Sequence, residues 1–125
     1  MTELEMQEVA DITRRFLQIR HKIRIELRPN RKRSGGFAYV WEGYIVIPGW
    51  IIDKVAEYQV AYIVHEVCHF KPGCCNHGEL FKSMERDALA DWGIVPEYNG
   101  SRRYAKAFNT PNMIPICDQW GNKPK

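Results

Sequence analysis

The stretch Tyr62-Ile63-Val64-His65-Glu66-Val67-Cys68-His69-Phe70 restricts this chain more than any other, because it sets the pattern H-E-x-x-H inside an apolar run that reads as a buried helix. On an α-helix, residues four apart lie one turn apart on the same face, so His65 and His69 can direct imidazole nitrogens at one point. Such a point suits a divalent metal ion. Glu66 lies about 100° round the helix from His65, near enough to reach a water at that point without occupying it. The competing reading is a pair of helix histidines with satisfied hydrogen bonds and no metal. With 4 histidines in 125 residues, chance gives the pattern in roughly one shuffled chain in a hundred, so the metal reading leads.

Two histidines leave such a site incomplete, since catalytic zinc takes three protein ligands and keeps a fourth position for water. His77 is the leading third ligand: residues 70–76 let the chain turn back and place His77 in the first turn of the next helix. The positive end of that helix disfavours imidazolium and keeps the ring able to coordinate. Glu85 or Asp87 on the same helix is the alternative. His77 and Glu85 are eight apart, about 12 Å along a helix, so one ion cannot readily take both.

The rest of the chain supplies a scaffold. Thr2 and Glu5 have capping-box spacing, and Met6, Val9, Ile12, Phe16 and Ile19 form one apolar face of a first helix. Residues 22–27 alternate, with Ile23, Ile25 and Leu27 on one side, which predicts a half-buried strand. Residues 37–41 and 44–47 predict a hairpin joined by Glu42-Gly43. Pro48 then places the second hairpin strand at or near a sheet edge, where an extended peptide could add beside the metal. Asp53 can cap the motif helix, Pro72-Gly73 ends it, and Asn76 with Glu79 can open the next helix. That helix runs to Gly93, a suitable residue past a helix end. A short helix over 101–108 and an irregular tail, 109–125, complete a single domain spanning 1–125.

Composition narrows the function classes. The hydrophobic fraction of 45% and charged fraction of 26% are those of a globular protein. No apolar run reaches the roughly 20 residues that cross a bilayer, and the acidic start is unlike a signal peptide, which points to a cytoplasmic protein with no membrane partner. Cys68, Cys74, Cys75 and Cys117 form no recognisable disulfide framework or zinc knuckle. Cys68 reads as a small packing residue, while Cys74 and Cys75 could bind metal or oxidise. A net charge of +3 is only mildly basic. Arg31-Lys32-Arg33 and Arg102-Arg103 allow weak nucleic-acid contact, although a solvated basic loop is the commoner case.

His65-Glu66-Val67-Cys68-His69 followed by Asn76-His77, Phe81 and Glu85 resembles the YgjP-like and SprT-like minimal metallopeptidase domains, and the likeness spans residues 23–92. The resemblance implies a small α+β zincin-like fold, with His65, His69 and His77 as Zn2+ ligands, Glu66 as catalytic base and a peptide or unfolded protein as substrate. Glu66 would take the proton of the attacking water and pass it to the leaving amine. Tyr98, Tyr104, Arg102 or Arg103 could add an oxyanion donor, and Asp87 or Asp91 could orient a ligand histidine. The cysteine-rich linker 71–75 departs from the plainer turn of those domains, and Glu85 through Asp91 has the character of a glutamate-bearing zinc helix. The alternatives are a partner-binding or nucleic-acid module with a structural zinc site, and a hydrolase of a non-peptide bond.

Overall fold

The structure, a computed structural model, describes residues 1–31, 35–74 and 76–94. In chain order it comprises α1 (Glu3–Phe16), β1 (Arg24–Arg28), β2 (Phe37–Tyr39), β3 (Tyr44–Pro48), a 3-10 turn (Gly49–Asp53), α2 (Ala56–Cys68) and α3 (Glu79–Asp91). Three helices and a small mixed sheet make the α+β fold expected of a small zincin-like domain. The helix expected over 101–108, the tail 109–125, Lys32, Arg33 and Cys75 lie outside the described residues.

α1 opens on the expected capping box: the Glu5 amide donates to Thr2 Oγ1 at 3.1 Å and the Thr2 amide donates to Glu5 Oε1 at 2.8 Å. Its buried face is Met6, Val9, Ala10 and Thr13, continued by Leu17. Ile12 and Phe16 are exposed, contrary to the sequence reading. The stripe from Met6 advances by three and four residues through 9, 10, 13 and 17, and this period carries Ile12 and Phe16 off the face.

The sheet order is β1-β3-β2, with β1 parallel and β2 antiparallel to β3. β3 is therefore the central strand and not the expected edge. Pro48 sits at its last position, opposite Arg28, where a missing amide disturbs little of the ladder. The unbroken run Ile45-Val46-Ile47, each residue at most 1% exposed, fits a strand covered on both faces. The hairpin connection is also longer than two residues. Tyr39 O accepts from the amides of Glu42 and Gly43, and Gly43 takes φ +82°, so residues 40–43 form the turn.

The two outer edges of the sheet differ. Along β1, Gln7 of α1 accepts from the Ile25 amide at 2.9 Å and donates to Ile23 O at 2.8 Å, while Glu3 accepts from the Leu27 amide at 2.7 Å. Side chains of α1 thus close that edge. Among the described residues, nothing pairs with the outer edge of β2.

α2 is buried at every position from Tyr58 to Cys68 and packs against α1, α3 and the sheet. A helix apolar on all sides belongs at the centre of a fold. Asp53 does not cap it: the 3-10 turn intervenes and Val55 holds the cap position. α3 ends in a Schellman arrangement, with the Ile94 amide donating to Leu89 O and the Gly93 amide to Ala90 O, both at 2.9 Å. Gly93 supplies the required positive φ of +74°, as its sequence position suggested.

Candidate metal centre

α2 carries His65 and Glu66 within its last two turns, and His69 is its C-cap residue, so the helix stops before Pro72-Gly73. The linker turns on Gly73, φ +82°, and on a Cys74 amide that donates to Lys71 O at 3.1 Å. His77 precedes α3 and does not lie in its first turn. Gly78 is the N-cap residue, and Asn76 Oδ1 accepts from the Gly78 amide at 3.0 Å. A carboxamide bonding two residues on makes a local turn and competes with the capping box expected from Asn76 and Glu79.

The linker brings three of the four histidines together. One ring nitrogen each from His65, His69 and His77 lies within 4.8 Å of the others, a group able to hold a metal ion. His65 Nδ1 is 2.7 Å from Glu85 Oε2, and His69 Nδ1 is 2.8 Å from Cys74 O. An oxygen acceptor on each Nδ1 favours the proton there, which makes Nε2 the nitrogen able to coordinate. His69 Nε2 and His77 Nε2 stand 3.2 Å apart. Two nitrogen ligands at about 2.0–2.1 Å from a tetrahedral ion are separated by about 3.3 Å, so the spacing fits zinc. Phe81, 1% exposed, floors the group, its ring centroid 5.0, 4.5 and 5.1 Å from those of His65, His69 and His77.

At His69, electrostatics favour ligation over charge on the ring. Burial, with the adjacent His65, lowers the His69 pKa from 6.5 to about 3, so its imidazole stays neutral. Burial, with the charge of Glu85, raises the Glu66 pKa from 4.5 to about 8. An ionised Glu66 therefore calls for a nearby cation. Burial also raises the Cys68 thiol well above its usual value, which suits a packing cysteine better than a reactive one.

Glu85, the rival ligand, is 1% exposed and lies against the Nδ1 side of His65. Asp87 and Asp91 are exposed on α3. Cys74 has a buried side chain and contributes its carbonyl, a backbone role that no residue pattern announces. Of the basic triplet only Arg31 is described, and its guanidinium donates to Gly35 O at 3.1 Å. Tyr98, Arg102, Arg103 and Tyr104 lie outside the described residues. Sequence reasoning missed Tyr62, whose hydroxyl accepts from the Gly36 amide at 2.6 Å and ties α2 to the start of β2. The weak signal was a tyrosine in an otherwise aliphatic run, since a buried hydroxyl needs a partner.

A cleft of about 690 Å³ opens over the histidines. One wall is Gly36 with β2 and its turn, through Glu42; the other is the end of α2 and the linker from Phe70 to Gly73. A Cβ at Gly36 would lie 2.2 Å from Val46 O and 3.0 Å from the Tyr62 hydroxyl, so only glycine lets β2 start this close to β3 and α2.

The chain matches no protein-family model and no curated protein. Among solved structures, its fold is similar to that in the crystal structure of the metallopeptidase zymogen of Pyrococcus abyssi abylysin, with a TM-score of 0.59 and 17% identity over 67% of this chain and 79% of that one. No helix among the described residues is long and apolar enough to cross a membrane.

Proposed function

We propose that this chain is a zinc-dependent metallopeptidase in which His65, His69 and His77 hold the ion and Glu66 is the catalytic base. The observation that carries this reading is the convergence of three imidazole nitrogens within 4.8 Å, two of the rings anchored through Nδ1. An all-nitrogen set of three with an open fourth position is the donor pattern of catalytic zinc. The metallopeptidase fold of the similar structure supports the same class of chemistry.

Held by His65, His69 and His77, zinc would supply Lewis acidity toward a scissile carbonyl and toward water. Glu85 and the Cys74 carbonyl hold two rings in the ligating tautomer, and Phe81 excludes water from beneath them. The outer edge of β2 offers backbone groups to an extended peptide, the role first expected of the following strand. Glu66, on the cleft side of α2, takes the proton of the attacking water and passes it to the departing amine.

The test is elemental analysis paired with hydrolysis of an unfolded protein. Wild-type protein should carry one equivalent of zinc and cleave; Glu66→Gln should keep the zinc and lose the cleavage. His77→Ala should lose zinc. Undiminished turnover by Glu66→Gln would remove the proposed base, and full zinc in His77→Ala would remove the proposed third ligand.

A further inference from the structure

The walls of the cleft carry a second kind of information, about which peptide fits. Trp41, in the turn after β2, lines the cleft yet is 96% exposed. So large an indole held in solvent has much apolar surface, and covering it with an apolar ligand is favourable. Opposite, the linker contributes the exposed Pro72 and the largely buried Phe70. Lys71, the one lysine or arginine among the described lining residues, is turned elsewhere: its ammonium donates to Leu17 O at 2.9 Å. Glu42, beside Trp41, is exposed on the rim, and Glu66 lies in the floor. The described walls beside Trp41 are thus largely apolar, with the Glu42 carboxylate at the rim.

We infer that the cleft selects extended peptide segments bearing a large apolar side chain, which Trp41 covers from the hairpin turn, over segments with a carboxylate at that position. This inference rests on the peptidase reading for the polarity of its occupant. The occupant is an extended chain because the edge of β2 that is unpaired among the described residues forms one wall, whereas the other edge of the sheet is closed by Gln7 and Glu3. It is an unfolded segment because large apolar side chains become available in series only when a protein loses its core. A carboxylate placed beneath the indole would give up hydration to apolar surface, which costs free energy.

The experiment uses the zinc-loaded full chain and matched decapeptides that differ at one central position, Phe, Leu, Ala, Lys or Asp. Binding is measured by calorimetry on Glu66→Gln, and cleavage on the wild type. Phe and Leu peptides should bind at least tenfold more tightly than the Asp peptide. Trp41→Ala should erase most of the advantage of Phe over Ala, while Trp41→Phe should keep it. Equal affinity for Phe and Asp peptides, an equal loss for every peptide in Trp41→Ala, or no binding of any peptide would overturn the inference. Selective binding without cleavage supports the cleft assignment while removing the peptidase reading. Cleavage with no selectivity does the reverse.

Discussion

His65 on α2 and Glu85 on α3 meet at 2.7 Å between side chains that are 3% and 1% exposed, so a carboxylate is buried against the back of a proposed metal ligand. Glu85→Ala leaves His65 Nδ1 without this acceptor, at a cost of about 1–3 kcal/mol in folding. Zinc affinity should fall about 10–100-fold, as for other outer partners of ligand histidines. Glu85→Gln keeps an acceptor and should be the milder change in both. Competition with a chelator of known affinity measures the metal term, and complete loss of bound zinc in Glu85→Gln would instead make Glu85 a ligand.

The pH dependence of the metal-free protein separates two buried groups. A raised Glu66 pKa favours folding fully below 4.5, and that contribution is lost as pH rises through about 8. A depressed His69 pKa contributes stability above 6.5 that is lost as pH falls through about 3. Between pH 6.5 and 8 the His69 contribution is constant, so the slope there reports Glu66. Melting temperatures in chelator should decline across this window for the wild type and less steeply for Glu66→Gln. Zinc, by favouring the ionised carboxylate, should flatten the wild-type curve. Parallel slopes for the two proteins in chelator would exclude this assignment.

The link between Tyr62 and Gly36 sets the distance between the motif helix and the cleft wall. Tyr62→Phe leaves the Gly36 amide without its acceptor and should cost about 1–3 kcal/mol. Gly36→Ala forces a methyl group to within 2.2 Å of Val46 O and should be worse, with β2 displaced. Denaturant melts rank the two, and a fully stable Gly36→Ala would contradict the close approach.

Gln7 gives a prediction about the sheet. Gln7→Ala removes an acceptor from Ile25 N and a donor to Ile23 O together, which should cost about 1–3 kcal/mol and uncover a strand edge. Faster amide exchange at Ile25 would report the loss; unchanged exchange would show that the edge is covered by other means.

The parts legible in the sequence were those in which one local pattern decides the outcome. Thr2 and Glu5 formed their box, Gly93 ended α3, and the strand around Ile25 was found from its alternation. The histidines at positions 65 and 69 followed from helix geometry, and His77 from the length of the linker. The misread parts were settled by packing between distant segments. Pro48 suggested an edge, but β1 pairs on the far side of β3 through a parallel register that no local signal encodes. Asp53 looked like a cap because the 3-10 turn before α2 leaves no strong residue pattern. The contact of Glu85 with His65 Nδ1, at 2.7 Å, is likewise a meeting of two helices that spacing alone does not encode.

His69 ends α2, whereas His65 is enclosed by the helix and the core, so the two histidines of one motif belong to regions of different local stability. An amide at a helix end opens by fraying, at far less free energy than global unfolding. His69, the linker carbonyl of Cys74 and His77 therefore form a hinged half of the centre, and His65 with Glu85 a fixed half. An ion bridging the halves would clasp the hinge, and its escape would be timed by fraying of the last turn of α2. Hydrogen exchange should then slow on metal loading from Phe70 to Cys74, with little change around Ile63.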